Sequence, residues 1–182
     1  MVTCPRKQWI DKQAEFGLNI EPLAAHQPVE MSDEDFENFL VWHRGLGVPA
    51  ARNLSRAEVK RGRELFYSIG CAECHKPSWV TGEYPPIPGY AKQKIWPYTD
   101  LLMHDMGEVN YGVSKTFRTP PLWARGLMKN AADHTDMFHD LRARDFEEAI
   151  LWHFGEGESS REAFRGLPAA DRRDLIEFLR SI

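Results

Sequence analysis

Residues 62–75 read GRELFYSIGCAECH, and the last five of them, Cys71-Ala72-Glu73-Cys74-His75, have the spacing C-x-x-C-H. This spacing is the attachment signal for a c-type haem, whose two vinyl groups react with the two thiols. The histidine that follows directly can bind the iron as its proximal ligand. The sequence therefore predicts one haem c, covalently attached through Cys71 and Cys74, with His75 as a metal ligand.

Two other chemistries use a C-x-x-C pair. A structural zinc site needs four N or S ligands, ordinarily in two spaced pairs, and the only other cysteine of the chain is Cys4. A thioredoxin-like dithiol should follow a strand and open a helix, whereas this pair ends a helical pattern. Both chemistries remain alternatives to haem, but the motif favours them less.

The composition is that of a globular protein. The chain has 182 residues, of which 42% are hydrophobic, enough for one packed domain with an extension. A net charge of −4 and scattered basic residues predict no nucleic-acid partner. No apolar run approaches the ~20 residues of a membrane span, so we predict no membrane span either.

The N-terminus does not match the export that the motif implies. Residues 1–10 are polar and lack the apolar core of a signal peptide. Covalent haem attachment is normally carried out outside the cytoplasm. We therefore predict a periplasmic or otherwise exported protein whose signal segment is not present in this chain.

Apolar periodicity predicts mainly helices and no convincing strand. Ser32 is a candidate N-cap, and Ser55 with Glu58 has the spacing of a capping box. The predicted helices cover residues 32–45, 55–70, 145–154, 159–164 (capped by Ser159 or Ser160) and 168–182. Gly62 and Phe66, just before C-x-x-C-H, resemble the first helix of class I cytochromes c, in which a glycine lets the last helix cross closely. The predicted fold class is thus mostly α. Residues 55–182 are predicted to form a cytochrome c-like helical haem domain with long loops. Residues 1–54 are predicted to form an N-terminal extension, which we interpret as a remnant of a preceding domain.

Residues 76–136 hold seven prolines and are predicted to be loops that wrap the porphyrin and supply the sixth iron ligand. Met106 is preferred, because a thioether is a known haem ligand and Gly107 lets the backbone turn sharply beside it. The other candidates are Met103, Met128, Met137, His104, His134 and His139.

Six stretches resemble, in order, the C-terminal haem domain of the bacterial di-haem oxidoreductase family. That family is also described as thiol oxidoreductases and is similar to di-haem cytochrome c peroxidases. The stretches are residues 62–75 (GRELFYSIGCAECH), 98–107 (YTDLLMHDMG), 117–123 (FRTPPLW), 138–144 (FHDLRAR), 147–153 (EEAILWH) and 161–182 (REAFRGLPAADRRDLIEFLRSI). The resemblance implies an exported electron-transfer domain, and it supports Met106, since HDMG looks like a signature block.

The chain also departs from the pattern of this family. Where the peroxidase relatives carry a methionine ligand before the F-[KR]-T-P-x-L block, this chain has Lys115 and Thr116, and Leu141 replaces the glycine of a His-Asp-Gly turn. The family carries two haems, whereas this chain has one C-x-x-C-H. We therefore expect a fragment, a natural single-haem relative, or one subunit of a split enzyme, with a second haem domain or subunit as a partner.

Three arginines could pair with the haem propionates through bidentate contacts. Arg118 is the preferred one, and Arg142 and Arg144 fit surface ion pairs better. The predicted function is single-electron transfer to a redox partner protein, which requires both axial positions of the iron to be filled. The alternative is a peroxidase or thiol oxidoreductase that uses the iron catalytically, for which one position must be open.

Overall fold

The computed structural model describes residues 31–107, 115–138 and 140–182. The chain divides into two compact units, Met1–Gly47 and Val48–Ile182. The described part of the first unit contains helix α1 (Asp33–Arg44), and the Ser32 side chain accepts a hydrogen bond from the Asp35 N–H at 3.0 Å. The predicted N-cap at Ser32 is therefore confirmed.

The second unit is mostly helical. Its described helices are α2 (Ala57–Ser68), α3 (Cys71–Cys74), α4 (Met128–Ala132), α5 (Phe146–Leu151), α6 (Glu158–Gly166) and α7 (Ala169–Ser181). Strands β1 (Trp79–Val80) and β2 (Lys94–Ile95) form one antiparallel pair, and β3 (Met103–Asp105) and β4 (Thr116–Arg118) form another. The mostly α prediction is confirmed. The sequence missed the strands, because segments of two or three residues are too short to show alternation.

Helices α2 and α7 cross at Gly62. A Cβ atom added to Gly62 would overlap the Asp174 carbonyl group and would lie 2.9 Å from the Phe178 Cβ. The two backbones are therefore in direct contact, and only glycine leaves room for that approach. The prediction that Gly62 allows a close crossing with the last helix is confirmed.

The core of the second unit surrounds this crossing. Phe66 of α2 is 2% exposed, and Phe178 of α7 is fully buried. The buried cluster also contains Val59, Tyr98, Phe164, Leu175, Ile176, Leu179 and Ile182. The core thus packs directly against the helix that leads into the C-x-x-C-H motif.

Two predicted helix caps are wrong. Helix α2 begins at Ala57 with Arg56 as its N-cap, and the Glu58 carboxylate accepts a hydrogen bond from the Arg56 Nε at 2.6 Å. The carboxylate is thus engaged by a guanidinium, a stronger partner than the backbone N–H of a capping box. Helix α6 begins at Glu158 after a 3₁₀ turn, so that Ser159 and Ser160 lie inside it.

Residues 48–54 belong to the second unit by contact, although the sequence assigned them to the extension. The Arg52 N–H donates to the Ser181 carbonyl at 2.7 Å, and the Arg52 guanidinium donates to the Arg180 carbonyl at 2.5 Å. These bonds satisfy carbonyl groups that the last turn of α7 leaves without partners.

Across the described residues, no helix combines the length and apolar character that a membrane crossing needs.

Candidate haem site

The C-x-x-C-H motif forms its own helical turn after α2. Gly70 has φ +87°, a left-handed conformation that ends α2 and restarts the chain as α3. Cys71 and Cys74 are the first and last residues of α3, and both are free thiols that are partly buried. The His75 N–H donates to the Cys71 carbonyl at 3.0 Å, which closes the turn. One turn of helix therefore presents two thiols and an imidazole.

The ring of His75 has one nitrogen engaged and one available. Its Nδ1 lies 2.9 Å from the Tyr98 carbonyl oxygen, and since a carbonyl only accepts, Nδ1 carries the proton. The Nε2 atom then holds the lone pair. Histidines that bind metals are ordinarily oriented in this way, with the other ring nitrogen donating its N–H to a carbonyl or carboxylate. Burial lowers the pKa of His75 to about 4, against the opposing effect of the Tyr98 hydrogen bond. The imidazole is therefore neutral near pH 7, the form that binds a metal.

Tyr98 is held in place by the core. Its ring packs edge-on against Phe66 at 5.9 Å and against Phe178 at 5.8 Å between centroids. Its backbone has φ +54°, an unfavourable conformation for a bulky residue. The next residues are tied to the motif, because the Asp100 N–H donates to the Cys74 carbonyl at 2.9 Å. The packing of α2 against α7 thus positions the carbonyl that orients His75.

Neither thiol has the character of a redox dithiol. Burial raises the pKa of Cys71 to about 12. Burial and the neighbouring carboxylates of Asp100 and Glu156 also raise the pKa of Cys74. Reactive dithiols depend on a lowered pKa and a populated thiolate, so this environment does not favour the dithiol interpretation.

His104 lies between two carboxylates. Its Nε2 is 2.7 Å from Asp100 Oδ2, and its Nδ1 is 2.7 Å from Glu156 Oε2. Hydrogen bonds to Glu156 and then Asp100 raise the pKa of His104, which favours an imidazolium that donates from both nitrogens. Both nitrogens are therefore committed, and His104 does not suit the role of iron ligand that the sequence left open for it.

In the described part of the chain, three neighbouring side chains of this group could hold a metal ion. Ligand atoms of Cys74, Asp100 and His104 lie within 4.8 Å of one another, and Cys74 Sγ is 3.7 Å from His104 Nδ1. Structural zinc sites ordinarily use four cysteine or histidine ligands, whereas this group offers one of each and a carboxylate. The donor set fits structural zinc less well than it fits a hydrogen-bonded cluster beside the motif.

The pKa of His104 predicts a pH dependence of stability. The pKa of His104 in the folded protein lies above the ordinary histidine value of 6.5. The stability that protonated His104 contributes is therefore complete below pH 6.5 and is lost as the pH rises through the folded-state pKa. We expect the unfolding midpoint of the matured protein to fall from about pH 6 to about pH 9, and the fall to be smaller in His104→Gln. Denaturant titrations of both proteins at several pH values check this. If the unfolding midpoint fell equally with pH in both proteins, the prediction would be contradicted.

The remaining candidates for the sixth ligand lie in different surroundings. Met106 follows β3, is partly buried, and donates its N–H to the Lys115 carbonyl at 2.8 Å. The turn predicted at Gly107 is present, with φ +73°. Met106 stays a prediction.

The other candidates for the sixth ligand have different neighbours. Met103 is 60% exposed, and the Met128 sulfur accepts a hydrogen bond from Arg125. The backbone of Met137 pairs with Ala143, and His134 lies beside Asp136. His139 lies outside the described residues.

His153 lies beside this site, although no sequence pattern indicated it as a ligand. Its ring centroid lies 6.4 Å from that of His75, and its Nδ1 is 2.8 Å from the Ala149 carbonyl oxygen. Burial lowers its pKa, so the ring is neutral with Nε2 available. The available signal was its position at the end of EEAILWH, one of the six stretches that resemble the family.

The three arginines differ in what they contact. Arg142 pairs with Asp140 and lies over the Trp152 ring, 4.9 Å from its centroid. Arg144 pairs with Glu148 at 2.9 Å. Arg118 is exposed on β4, and the described part of the chain shows no partner for its guanidinium. It remains the arginine that is available to a propionate.

Apolar side chains lie exposed on the loops that flank the two histidines. Examples are Leu101 (55% exposed), Leu102 (60%) and Leu141 (57%). Exposed apolar side chains mark a binding site only where they form a contiguous patch, so the case for haem rests on the two thiols of one helical turn and the neutral, oriented imidazole beside them.

One family model, described as "Di-haem oxidoreductase, putative peroxidase", matches residues 14–182. The matched region contains all six stretches discussed above and most of residues 1–54. Comparisons with curated proteins and with solved structures gave no match.

Proposed function

The chain belongs to the di-haem oxidoreductase family, whose model matches residues 14–182, and on that basis we propose that it is a c-type cytochrome domain with one covalently bound haem that transfers single electrons. The family implies a haem cofactor. The observation that carries the finer proposal is the His75 ring, whose Nδ1 is held by the Tyr98 carbonyl at 2.9 Å beside two free thiols.

Each residue of the motif has a defined role in this proposal. Cys71 and Cys74 would each add an S–H across one vinyl group, with sulfur bonded to one carbon and hydrogen to the other, so that no net oxidation occurs. His75 would bind the iron through Nε2, and Arg118 would pair with a propionate. When bound, the haem supplies an iron that gains or loses one electron. Because thioether formation is normally carried out after export, the proposal includes a periplasmic or otherwise exported location.

Electron transfer is favoured over catalysis for this chain by itself. An iron with two protein ligands reorganises little when its charge changes, whereas a peroxidase needs an open or displaceable position. The family description also names a peroxidase. With a second haem supplied by another domain or subunit, this unit would serve as the electron-entry half of an oxidoreductase.

This distinction predicts a specific response to peroxide. The ferric protein, matured with haem, should be low-spin, should be insensitive to added hydrogen peroxide, and should titrate as a single one-electron couple. Optical redox titration and spectra recorded before and after peroxide addition check this. A high-spin ferric spectrum that changes on peroxide addition would contradict electron transfer and support the catalytic alternative.

A further inference from the structure

The position of His153 is set by the end of helix α5. Its N–H donates to the Ile150 carbonyl at 3.1 Å, and its Nδ1 lies 2.8 Å from the Ala149 carbonyl oxygen. Because a carbonyl only accepts, Nδ1 carries the proton and Nε2 holds the lone pair. This is the arrangement found for His75 against Tyr98. The described hydrogen bonds thus engage Nδ1 of each ring and Nε2 of neither.

The two rings are separated as two ligands of one iron would be. Their centroids are 6.4 Å apart and their planes are inclined by 54°. A metal–imidazole bond is about 2 Å and the ring centre lies about 1 Å behind the nitrogen, so that two imidazoles across one metal have centroids roughly 6 Å apart. Each ring can rotate about its metal–nitrogen bond, so the inclination is compatible with shared ligation.

The surroundings of His153 hold its ring in this place. The Phe138 ring packs edge-on against it at 5.5 Å. A Cβ atom added to Gly157 would lie 3.0 Å from the His153 Cβ and 3.2 Å from its Cδ2. The ring is thus fixed by an aromatic neighbour, by a glycine that makes room for it and by its own hydrogen bond.

We propose that His153 is the second axial ligand of the haem iron, opposite His75, in place of Met106. The inference rests on the proposed function, because it requires the haem attached at Cys71 and Cys74. It assigns a bis-histidine iron, which has a lower reduction potential than a histidine–methionine iron. The domain would then hold its electron at a lower potential than the Met106 assignment implies.

Met106 and His153 come from adjoining segments, so the test must separate them. A Cβ atom added to Gly107, the residue after Met106, would lie 3.1 Å from the Phe154 Cβ, and Phe154 follows His153. Either residue could therefore reach a similar region. The matched variants are His153→Met, His153→Ala and Met106→Leu, each matured with haem alongside the unaltered protein.

The expected spectra distinguish the two ligands. The unaltered ferric protein should be low-spin and should lack the long-wavelength charge-transfer band of methionine sulfur bound to ferric haem. His153→Met should gain that band and a higher midpoint potential. His153→Ala should become high-spin and return to low-spin with added imidazole. Met106→Leu should leave the spectrum and potential unchanged.

The opposite pattern would overturn the assignment. It would consist of a methionine band in the unaltered protein, its loss in Met106→Leu, and unchanged spectra in both His153 variants. The mass of each denatured sample separates this failure from that of the proposed function. If covalent haem is present but its spectrum does not change in the His153 variants, only the ligand assignment fails. If the unaltered chain carries no covalent haem, both the proposed function and the ligand assignment fail.

Discussion

Replacing Gly62 with valine should abolish the cooperative fold of residues 48–182. The Cβ of any other residue would overlap the Asp174 carbonyl of α7, and a backbone carbonyl cannot move aside as a flexible side chain can. Gly62→Ala is the milder form. It gains about 1 kcal/mol of helix propensity but loses more through overpacking, which typically costs about 1–3 kcal/mol even between side chains. Against a total stability of about 5–15 kcal/mol, the added methyls of valine should leave little folded protein.

A helical glycine elsewhere provides the control. Gly166, the last residue of α6, has open space where its Cβ would be, so Gly166→Ala should leave the unfolding midpoint unchanged or slightly raised. Denaturant unfolding followed by circular dichroism measures all three variants. If Gly62→Ala were as stable as Gly166→Ala, the backbone contact at the crossing would not exist as described.

Replacing both Cys71 and Cys74 with serine should remove covalent haem completely. A hydroxyl does not form a thioether, so each single variant should retain one attachment and the double variant none. Haem staining of denaturing gels, normalised to protein, measures the effect. The third cysteine supplies a matched control, because Cys4 lies outside the motif and Cys4→Ser should stain as strongly as the unaltered chain. If the double variant stained as strongly as the unaltered chain, haem attachment at this motif would be refuted.

The parts of the fold that the sequence predicted well are those that depend on local patterns. The N-cap at Ser32 and the turn at Gly107 each require only neighbouring residues. The close crossing at Gly62 was predicted from the resemblance of this helix to the first helix of class I cytochromes c, in which a glycine leaves room for the last helix.

The parts that were missed depend on side-chain contacts that the spacing of residues along the sequence does not show. Glu58 has the spacing of a capping box, but the guanidinium of Arg56 takes its carboxylate. His104 had the chemistry of an iron ligand, yet Asp100 and Glu156 occupy both of its nitrogens. His153 lies 78 residues after His75 (153 − 75 = 78), and no sequence pattern shows that their rings lie 6.4 Å apart.

The structure also connects the core with the chemistry of the motif. The Phe66, Tyr98 and Phe178 rings pack edge-on against one another, and this packing directs the Tyr98 carbonyl at His75. The crossing at Gly62 therefore affects the orientation of the His75 imidazole as well as stability. Variants that loosen the crossing without unfolding the protein should disturb the haem spectrum.

The central claim, that this chain carries one haem bound covalently through C-x-x-C-H, is tested most directly by the intact mass of the denatured protein after export in cells with haem-attachment machinery. The account predicts the mass of the polypeptide plus one haem, retained through denaturation. The mass of the bare polypeptide, in cells that load a known c-type cytochrome in parallel, would contradict it.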